Sequence, residues 1–276
     1  MDLASWRLLA RTINKADIVV EVLDIRDPLS THSNRLEEMI DVLGKKLIIV
    51  LNKSDLVPRQ VAEEWVYQFR KTGYNAFYMS ATQRLGTRRL RGFIKSVAET
   101  TPFTVAVVGY PKTGKSSIIN ALKAKHSAMT SPIPGSHGYT RHVQLYKIEP
   151  GFYVLDTPGV IPIEGGWPDS IIRGKSPEEL QDPVPPAMAL IEKILNYNPD
   201  AFLDAYGITT KDPLKIMEKL AINRGWKYKL SGEPLIEEAA RTIIRDYHKA
   251  KIMFYIPPSS VNRKYKDGRR GRNLAI

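Results

Sequence analysis

Six short runs of apolar residues recur along the chain up to Pro162, and each predicts a β-strand. Most are uninterrupted, as in strands buried on both faces, whereas the run at 143–148 alternates between apolar and polar residues. The predicted strands are 17–24, 45–51, 76–79, 103–109, 143–148 and 152–155. Amphipathic stretches between them predict helices at 3–15, 35–43, 59–72, 85–99 and 115–125. This alternation predicts an α/β fold with a mostly parallel sheet covered on both faces.

The pattern changes after Pro162. The segment 165–186 is rich in glycine and proline and predicts a linker. Beyond it the strand pattern disappears, and apolar residues with helical spacing predict helices at 188–196, 214–223 and 235–253. We therefore expect an α/β domain at 1–164, a linker at 165–186, a small all-α domain at 187–258 and a basic tail at 259–276.

The net charge of the chain predicts a polyanionic binding partner. The chain has 41 lysines and arginines against 29 aspartates and glutamates, a net charge of +12, and Asn262–Ile276 alone contributes six basic residues against Asp267. Such an excess is typical of nucleic-acid binding, although solubility alone is the simpler explanation.

Other compositional features point to the cytoplasm. The sequence contains no cysteine, which excludes disulfides and thiolate chemistry and fits a reducing compartment. It has neither the long apolar run of a membrane span nor the pattern of a secretory signal, so we expect a cytoplasmic protein without membrane contact.

The segment Gly109–Ser117, GYPKTGKSS, has the pattern G-x-x-x-x-G-K-S of a phosphate-binding loop. It follows a predicted strand and opens a predicted helix, so backbone N–H groups and the helix dipole converge on one point. Lys115 would reach the β- and γ-phosphates, and the Ser116 hydroxyl would bind Mg²⁺. The predicted phosphate-binding residues are Pro111, Lys112, Thr113, Gly114, Lys115, Ser116 and Ser117.

A base-recognition motif precedes this loop in the chain. The tetrapeptide NKSD follows the strand at 45–51, and its aspartate, Asp55, can accept hydrogen bonds from the N1 and N2 donors of guanine. Helix N-caps also favour Asn and Asp, so NKSD alone is a weak signal. It indicates base recognition because the same chain contains a phosphate-binding loop. The tripeptide Ser80-Ala81-Thr82 follows the next strand, and one of its backbone N–H groups can meet guanine O6. The predicted base-binding residues are Asn52, Lys53, Ser54, Asp55, Ser80 and Ala81.

Two further segments would sense the γ-phosphate. Asp156 would hold Mg²⁺ through water and the Gly159 N–H would face the γ-phosphate, although DTPG is also an ordinary turn sequence. Thr140 is the candidate whose hydroxyl caps Mg²⁺ only when the γ-phosphate is present. The nearby side chains of His137, Arg141 and His142 are candidates for catalysis in cis, but solvated loop residues or RNA contacts are the favoured interpretation.

Together these elements resemble the circularly permuted GTPases (the YlqF/YawG-like subgroup), which take part in assembly of the large ribosomal subunit. A conventional GTPase has the motifs in the order phosphate loop, threonine, D-x-x-G, N-K-x-D and S-A. This chain has the same cyclic order but enters the sheet just before the strand at 17–24, so N-K-x-D comes first. The resemblance covers roughly residues 1–162, and DIRDP at Asp24–Pro28 resembles the start of this subgroup, with no chemistry assigned to it.

The resemblance implies a P-loop GTPase fold and the hydrolysis of GTP to GDP and phosphate. It implies catalytic roles for Lys115, Thr140 and Gly159, and Mg²⁺ held through Ser116, Thr140 and Asp156. It further implies a monomer that binds the large ribosomal subunit or its rRNA, with RNA contacts in the helical domain.

The sequence departs from the family pattern at three places. Many relatives have an asparagine where this chain has Lys112, and that asparagine helps to bind a potassium ion; we therefore expect hydrolysis here to depend less on a monovalent cation. The region before Asp17 lacks the histidine that some relatives carry. Val160 stands where signalling GTPases have glutamine, so we expect slow intrinsic turnover that a partner accelerates. His32, His126 and His248 show no partner pattern.

Two alternatives remain open at this stage. One is a regulatory GTPase that acts on a protein partner without binding RNA, and salt-insensitive binding would favour it. The other is an ATP-using kinase or ATPase, against which Asp55 argues.

Overall fold

The computed structural model describes residues 3–123, 129–132, 144–156, 161 and 168–261. The described residues form two compact units: one holds the chain up to residue 161 together with 257–261, and the other holds 168–256. Within these ranges no helix has the length and apolar character needed to cross a membrane.

The first unit is built around one seven-stranded sheet. Its strands are β1 (Ile18–Asp24), β2 (Lys46–Asn52), β3 (Asn75–Tyr78), β4 (Phe103–Val108), β5 (Met129–Pro132), β6 (Gln144–Glu149) and β7 (Phe152–Asp156). The spatial order is β3-β2-β1-β4-β7-β6-β5; the first five are parallel to one another, and β6 and β5 are antiparallel additions. The carboxyl ends of the five parallel strands therefore lie along the same edge of the sheet.

The sheet is covered on both faces, as predicted. The helices of this unit are α1 (Leu3–Asn14), α2 (Asn34–Val42), α3 (Arg59–Lys71), α4 (Thr87–Val97) and α5 (Lys115–Leu122). Successive side chains of a strand point to opposite faces, and all seven residues of β1 are buried. On one face Val20, Val22 and Val107 pack in a core with Ile94 of α4 and Ile118 of α5.

The structure adds the edge strand β5, which the sequence pattern did not predict. Its residues, MTSP, form no apolar run, so no periodicity marks them. The strand exists through antiparallel pairing with β6, in which Met129 lies opposite Tyr146. Pairing of this kind depends on tertiary context rather than on local sequence.

The second unit is helical. It contains α6 (Asp169–Gly174), α7 (Val184–Tyr197), α8 (Ala201–Tyr206), α9 (Pro213–Asn223) and α10 (Ile236–His248), and α10 packs against both α7 and α9. Its apolar core includes Leu190, Ile216, Ile243 and Phe254.

The structure differs from the sequence prediction at both ends of this unit. The segment expected to be a linker, 165–186, contains α6, a 3-10 helix at Pro177–Glu179 and the start of α7. Proline is accepted in the first turn of a helix, where its missing N–H has no partner to lose, so the prolines here mark helix starts. The predicted tail also begins with structure: Pro258–Val261 forms α11, which packs against α3 of the first unit, while residues 262–276 lie outside the described part.

A buried histidine joins β1 to the segment before α2. His32 Nδ1 lies 2.8 Å from Glu21 Oε2, and its Nε2 lies 3.4 Å from Glu37 Oε2. The rings of Phe69 and Tyr74 pack edge-on against the imidazole. Burial by itself lowers the pKa of His32, but the carboxylates of Glu21 and Glu37 outweigh burial and raise this pKa to about 9. His32 therefore serves as a structural cation, a partnership that no sequence spacing indicated.

Replacing Glu21 by glutamine is expected to reduce the pH dependence of stability. Because the pKa of His32 rises from 6.5 to about 9 on folding, its charge contributes stability that is full below pH 6.5 and is lost as the pH rises through 9. A shift of this size corresponds to about 3 kcal/mol. Urea unfolding at several pH values should show the gap in unfolding free energy between wild type and Glu21→Gln shrinking across this window. A gap that stays constant would contradict the assignment.

Candidate nucleotide-binding site

The predicted site residues follow the carboxyl ends of adjacent parallel strands. The base motif follows β2, the turn at Ser80 follows β3, and the phosphate loop follows β4. After β1 the chain adds β2 and β3 on one side, and it then returns to place β4 on the other side of β1. Ligands of open α/β sheets bind at such a switch point. The chain also reaches the base motif before the phosphate loop, which is the circular permutation predicted from the motif order.

The phosphate loop is closed by its own hydrogen bonds. Thr113 Oγ1 and Lys115 Nζ both donate to the Tyr110 carbonyl, at 2.9 and 2.8 Å. Gly109 has a φ of 145°, and a Cβ there would lie 2.5 Å from the Val22 carbonyl oxygen. Gly114, with a φ of 99°, opens α5. The loop is thus a tight turn that directs a lysine and a helix N-terminus to one place.

The loop residues differ in exposure. Pro111 and Lys112 are half-buried, and Lys112 has a left-handed φ of 66°. Ser116 and Ser117 are exposed on the first turn of α5. A hydroxyl in this position can coordinate a hard cation that also binds a phosphate.

Asn52 ties three of the predicted segments together. Its Nδ2 donates to the Thr113 carbonyl at 2.9 Å, and its Oδ1 accepts from the Ala81 N–H at 3.1 Å. The side chain is buried and stands so close to Gly114 that any Cβ there would approach its amide nitrogen to less than 3.0 Å. Asn52 therefore positions the phosphate loop and the 80–81 turn rather than reading the base itself.

Asp24 is a residue of the candidate site that sequence reasoning missed. It ends β1 in register with Asn52 and is fully buried. Its carboxylate accepts hydrogen bonds from Arg26 Nε (3.0 Å) and Nη2 (2.8 Å) and from Lys53 Nζ (2.7 Å). Lys53 itself has a left-handed φ of 67°. The DIRDP segment thus holds the lysine of the base motif. An acidic residue at the end of a strand next to β2 is the sequence signal that could have suggested this.

The turns around the base motif are ordered by backbone bonds. The Ser54 N–H donates to the Met79 carbonyl at 3.0 Å, and Asp55 lies exposed in a 3-10 helix at Ser54–Leu56. The Ser80 N–H donates to the Leu85 carbonyl at 3.1 Å.

Two of the three backbone N–H groups predicted near guanine O6 form bonds within the protein. Because the Ser80 N–H bonds to Leu85 and the Ala81 N–H bonds to Asn52, neither points to a ligand in this conformation. The next N–H along the exposed turn belongs to Thr82.

The γ-phosphate segments are described only in part. β7 ends at Asp156, in register with Val107 of β4, so this residue lies beside the strand that leads into the phosphate loop. The other predicted residues lie outside the described part of the chain: Thr140 and Gly159, together with His126, His137, Arg141, His142 and Val160. No group of three His, Asp or Glu side chains within the described ranges could hold a metal.

Comparison with solved structures agrees with this fold. The GDP-bound structure of a YlqF protein superimposes with a TM-score of 0.67 at 24% sequence identity, covering 91% of this chain and 99% of the other. The GNP-bound YlqF from T. maritima gives a TM-score of 0.65 at 24% identity, covering 92% and 99%. The fold is therefore that of the circularly permuted GTPases.

Curated relatives show similarity along most of this chain. A GTP-binding protein from Methanocaldococcus jannaschii, itself uncharacterized, is 35% identical over 254 residues, covering 90% of this chain and 66% of that protein. A protein named Nucleolar GTP-binding protein 2 from Yarrowia lipolytica is 33% identical over 263 residues, covering 92% and 50%. The chain thus spans about half to two thirds of the length of these relatives.

The family assignment rests on the first unit, where the sheet and the site lie. The sequence profile described as RsgA GTPase matches residues 8–164, more than half of the chain. This range holds the base motif, the turn at Ser80, the phosphate loop and Asp156, in the permuted order that the structure shows. The chain belongs to the RsgA GTPase family.

Proposed function

We propose that this protein binds guanine nucleotides and hydrolyses GTP to GDP and phosphate. The observation that carries this proposal is the position of Asn52. The Asn52 side-chain amide bonds to the Thr113 carbonyl of the phosphate loop at 2.9 Å and to the Ala81 N–H of the 80–85 turn at 3.1 Å. In the chain, Asn52 directly precedes the rest of the base motif. One side chain thus fixes the phosphate-binding loop relative to the segments that would bind the base. Such positioning is what phosphoryl transfer requires of a protein.

The site residues take the following roles in this proposal. Asp55 accepts hydrogen bonds from the guanine N1 and N2 donors, and the Thr82 N–H meets O6. The ammonium group of Lys115 leaves the Tyr110 carbonyl, which it contacts at 2.8 Å, for the β- and γ-phosphates. Thr140 and Gly159 complete the γ-phosphate site.

Mg²⁺ is the metal that fits the oxygen donors Ser116, Thr140 and Asp156. When bound, it neutralises charge on the phosphates. Because Lys112 already places a cation in the loop, we propose that hydrolysis depends little on potassium. Its rate at fixed ionic strength should change little when potassium replaces sodium.

We further propose that the nucleotide state controls binding to the large ribosomal subunit through its rRNA, in the cytoplasm. Two observations support this: the net charge of +12, and relatives that carry the name nucleolar GTP-binding protein. The alternative is a GTPase that regulates a protein partner, for which no described residue argues specifically.

Phosphate release from GTP and from ATP tests the catalytic proposal. We expect slow GTP turnover that needs Mg²⁺, that large ribosomal subunits accelerate, and that is absent with ATP. The Lys115→Ala variant should lose it, and Lys71→Ala, which removes an exposed lysine of α3, should retain it. Equal turnover of ATP and GTP would contradict the proposal.

A further inference from the structure

Most of the net positive charge of this chain, +10 of +12, is concentrated in two segments. One is Asn262–Ile276, with six basic residues against one acidic residue. The other is 79–98, with five basic residues and no acidic one. The helical unit, by contrast, is balanced: residues 168–256 contain thirteen basic and thirteen acidic residues. The described part of the chain therefore presents its charge excess on the nucleotide-binding unit.

Three arginines of the second segment are exposed and closely follow the Ser80 turn along the chain. Arg84 belongs to the turn after Ser80, and Arg88 and Arg89 stand in the first turn of α4. The Arg89 guanidinium lies 5.6 Å from the centre of the Phe77 ring. Stacking on an aromatic ring fixes the plane of a guanidinium and leaves its edge available for hydrogen bonds. We call these three residues the α4 arginine cluster.

The other two basic side chains of the segment have a structural role. Lys95 pairs with Glu149, and Arg91 Nη1 lies 4.0 Å from the same carboxylate while its Nη2 donates to the Leu122 carbonyl. No ion pair of this kind engages the α4 arginine cluster within the described ranges.

Helix stability does not explain the α4 arginine cluster. The helix dipole favours acidic residues in the first turn, whereas α4 has none there and carries Arg88 and Arg89. Arg84 adopts a left-handed backbone conformation with a φ of 55°, which costs free energy in a non-glycine residue. Three like charges within six positions of the chain also repel one another. An external anion that binds all three would offset the two charge penalties, the mutual repulsion and the unfavourable helix dipole.

We propose that the α4 arginine cluster is an RNA-binding surface that contacts the phosphate backbone. This inference rests on the proposed function in naming RNA as the polyanion. Arginine presents a planar set of donors that matches phosphate. The exposed side chains of Thr82 and Gln83 beside it can bond to phosphate or 2′-hydroxyl groups. The charge-balanced helical unit is the less suitable surface, although the family resemblance places RNA contacts there.

The position of the cluster implies coupling to the nucleotide. The turn at 80–85 holds Ser80 and Ala81 at one end and Arg84 near the other, and it closes through the Ser80–Leu85 backbone bonds. RNA that fixes Arg84 therefore fixes the segment that meets the base. By linkage, a nucleotide that orders this turn strengthens RNA binding by the same factor.

The test is binding of the full-length protein to protein-free large-subunit rRNA over a range of salt concentrations. The triple variant Arg84→Gln, Arg88→Gln, Arg89→Gln should bind at least about tenfold more weakly. Its plot of log affinity against log salt should be shallower by about 2 to 3, since each lost phosphate contact removes about 0.7 to 0.9 from the slope. A matched control replaces Arg11, Lys15 and Lys71, exposed on the same unit, by glutamine and should change little. Arginine-to-lysine changes at the three cluster positions should restore most of the slope, which separates lost charge from misfolding.

The outcomes separate this inference from the proposed function. If wild type does not bind rRNA, the RNA part of the proposed function fails, and the surface fails with it. If wild type binds and the triple variant binds equally well, only the α4 arginine cluster is refuted. If the triple variant loses binding to intact large subunits but not to protein-free rRNA, the surface contacts a ribosomal protein and the choice of RNA is wrong.

Discussion

The Asp55→Asn variant is expected to lose GTP affinity and to bind xanthine nucleotides instead. The carboxylate accepts from the guanine N1 and N2 donors, and an amide in its place presents an N–H to one of them. Hydrogen bonds to a charged group contribute about 1.5–3 kcal/mol each, so losing two weakens binding by roughly 10²- to 10⁴-fold. Xanthine offers an oxygen at position 2, which the asparagine N–H can meet.

Competition binding with GDP, XDP and ADP measures this change in preference. Asp41→Asn, the same substitution at an exposed position of α2, is the matched control and should leave the guanine preference intact. An unaltered preference in Asp55→Asn would show that the base binds elsewhere, and the assignment of the NKSD motif would be lost.

Gly114→Ala is expected to weaken nucleotide binding strongly without unfolding the protein. The added Cβ would lie closer than 3.0 Å to Asn52 Nδ2, at a φ of 99° that disfavours any side chain. The Asn52 side chain cannot move away from the added methyl group without losing bonds, because it is buried and bonds to both Thr113 and Ala81. Either the loop shifts or the Asn52 bonds break, and both move the phosphate-binding N–H groups. We expect at least a hundredfold loss of GDP affinity, since a misplaced loop loses several phosphate hydrogen bonds of about 1.5–3 kcal/mol each.

Gly92→Ala provides the control for the glycine substitution itself. Gly92 lies in α4 with nothing within 4 Å of an added Cβ. Alanine there should raise stability by about 1 kcal/mol, because it favours the helix, and leave GDP affinity unchanged. Calorimetric titration with GDP and urea unfolding of both variants would separate binding from folding. Wild-type affinity in Gly114→Ala would mean that the contact between Gly114 and Asn52 does not shape the site.

Local sequence predicted those elements whose residues carry their own signal. The uninterrupted β-branched run of β1 and the glycines of the phosphate loop require little context, because burial and backbone geometry act within a few residues. The order of the motifs likewise implied that the base site precedes the loop. The structure confirms β1 and the position of α5 directly after the loop, and the binding of a base at the earlier motif stays a prediction.

What the sequence missed depends on contacts between distant residues. The bond from Asn52 to Thr113 spans 61 residues, and that from Lys53 to Asp24 spans 29, so no motif spacing contains either. The same reason explains why the bond from the Ala81 N–H to Asn52 Oδ1 was not predicted. The prolines near Val184 predicted a linker because proline breaks helices in their interior, but here they stand in a first turn.

Co-sedimentation with purified large ribosomal subunits tests the central proposal, control of ribosome binding by the nucleotide state, most directly. The protein would be compared with GDP, with a non-hydrolysable GTP analogue and without nucleotide, each at low and high salt. We expect retention with the GTP analogue that weakens as salt rises, and much less retention with GDP. If the protein does not sediment with the subunits in any nucleotide state, or sediments equally with every nucleotide and at both salt concentrations, the proposal is contradicted. A GTPase that acts on a protein partner would then be favoured.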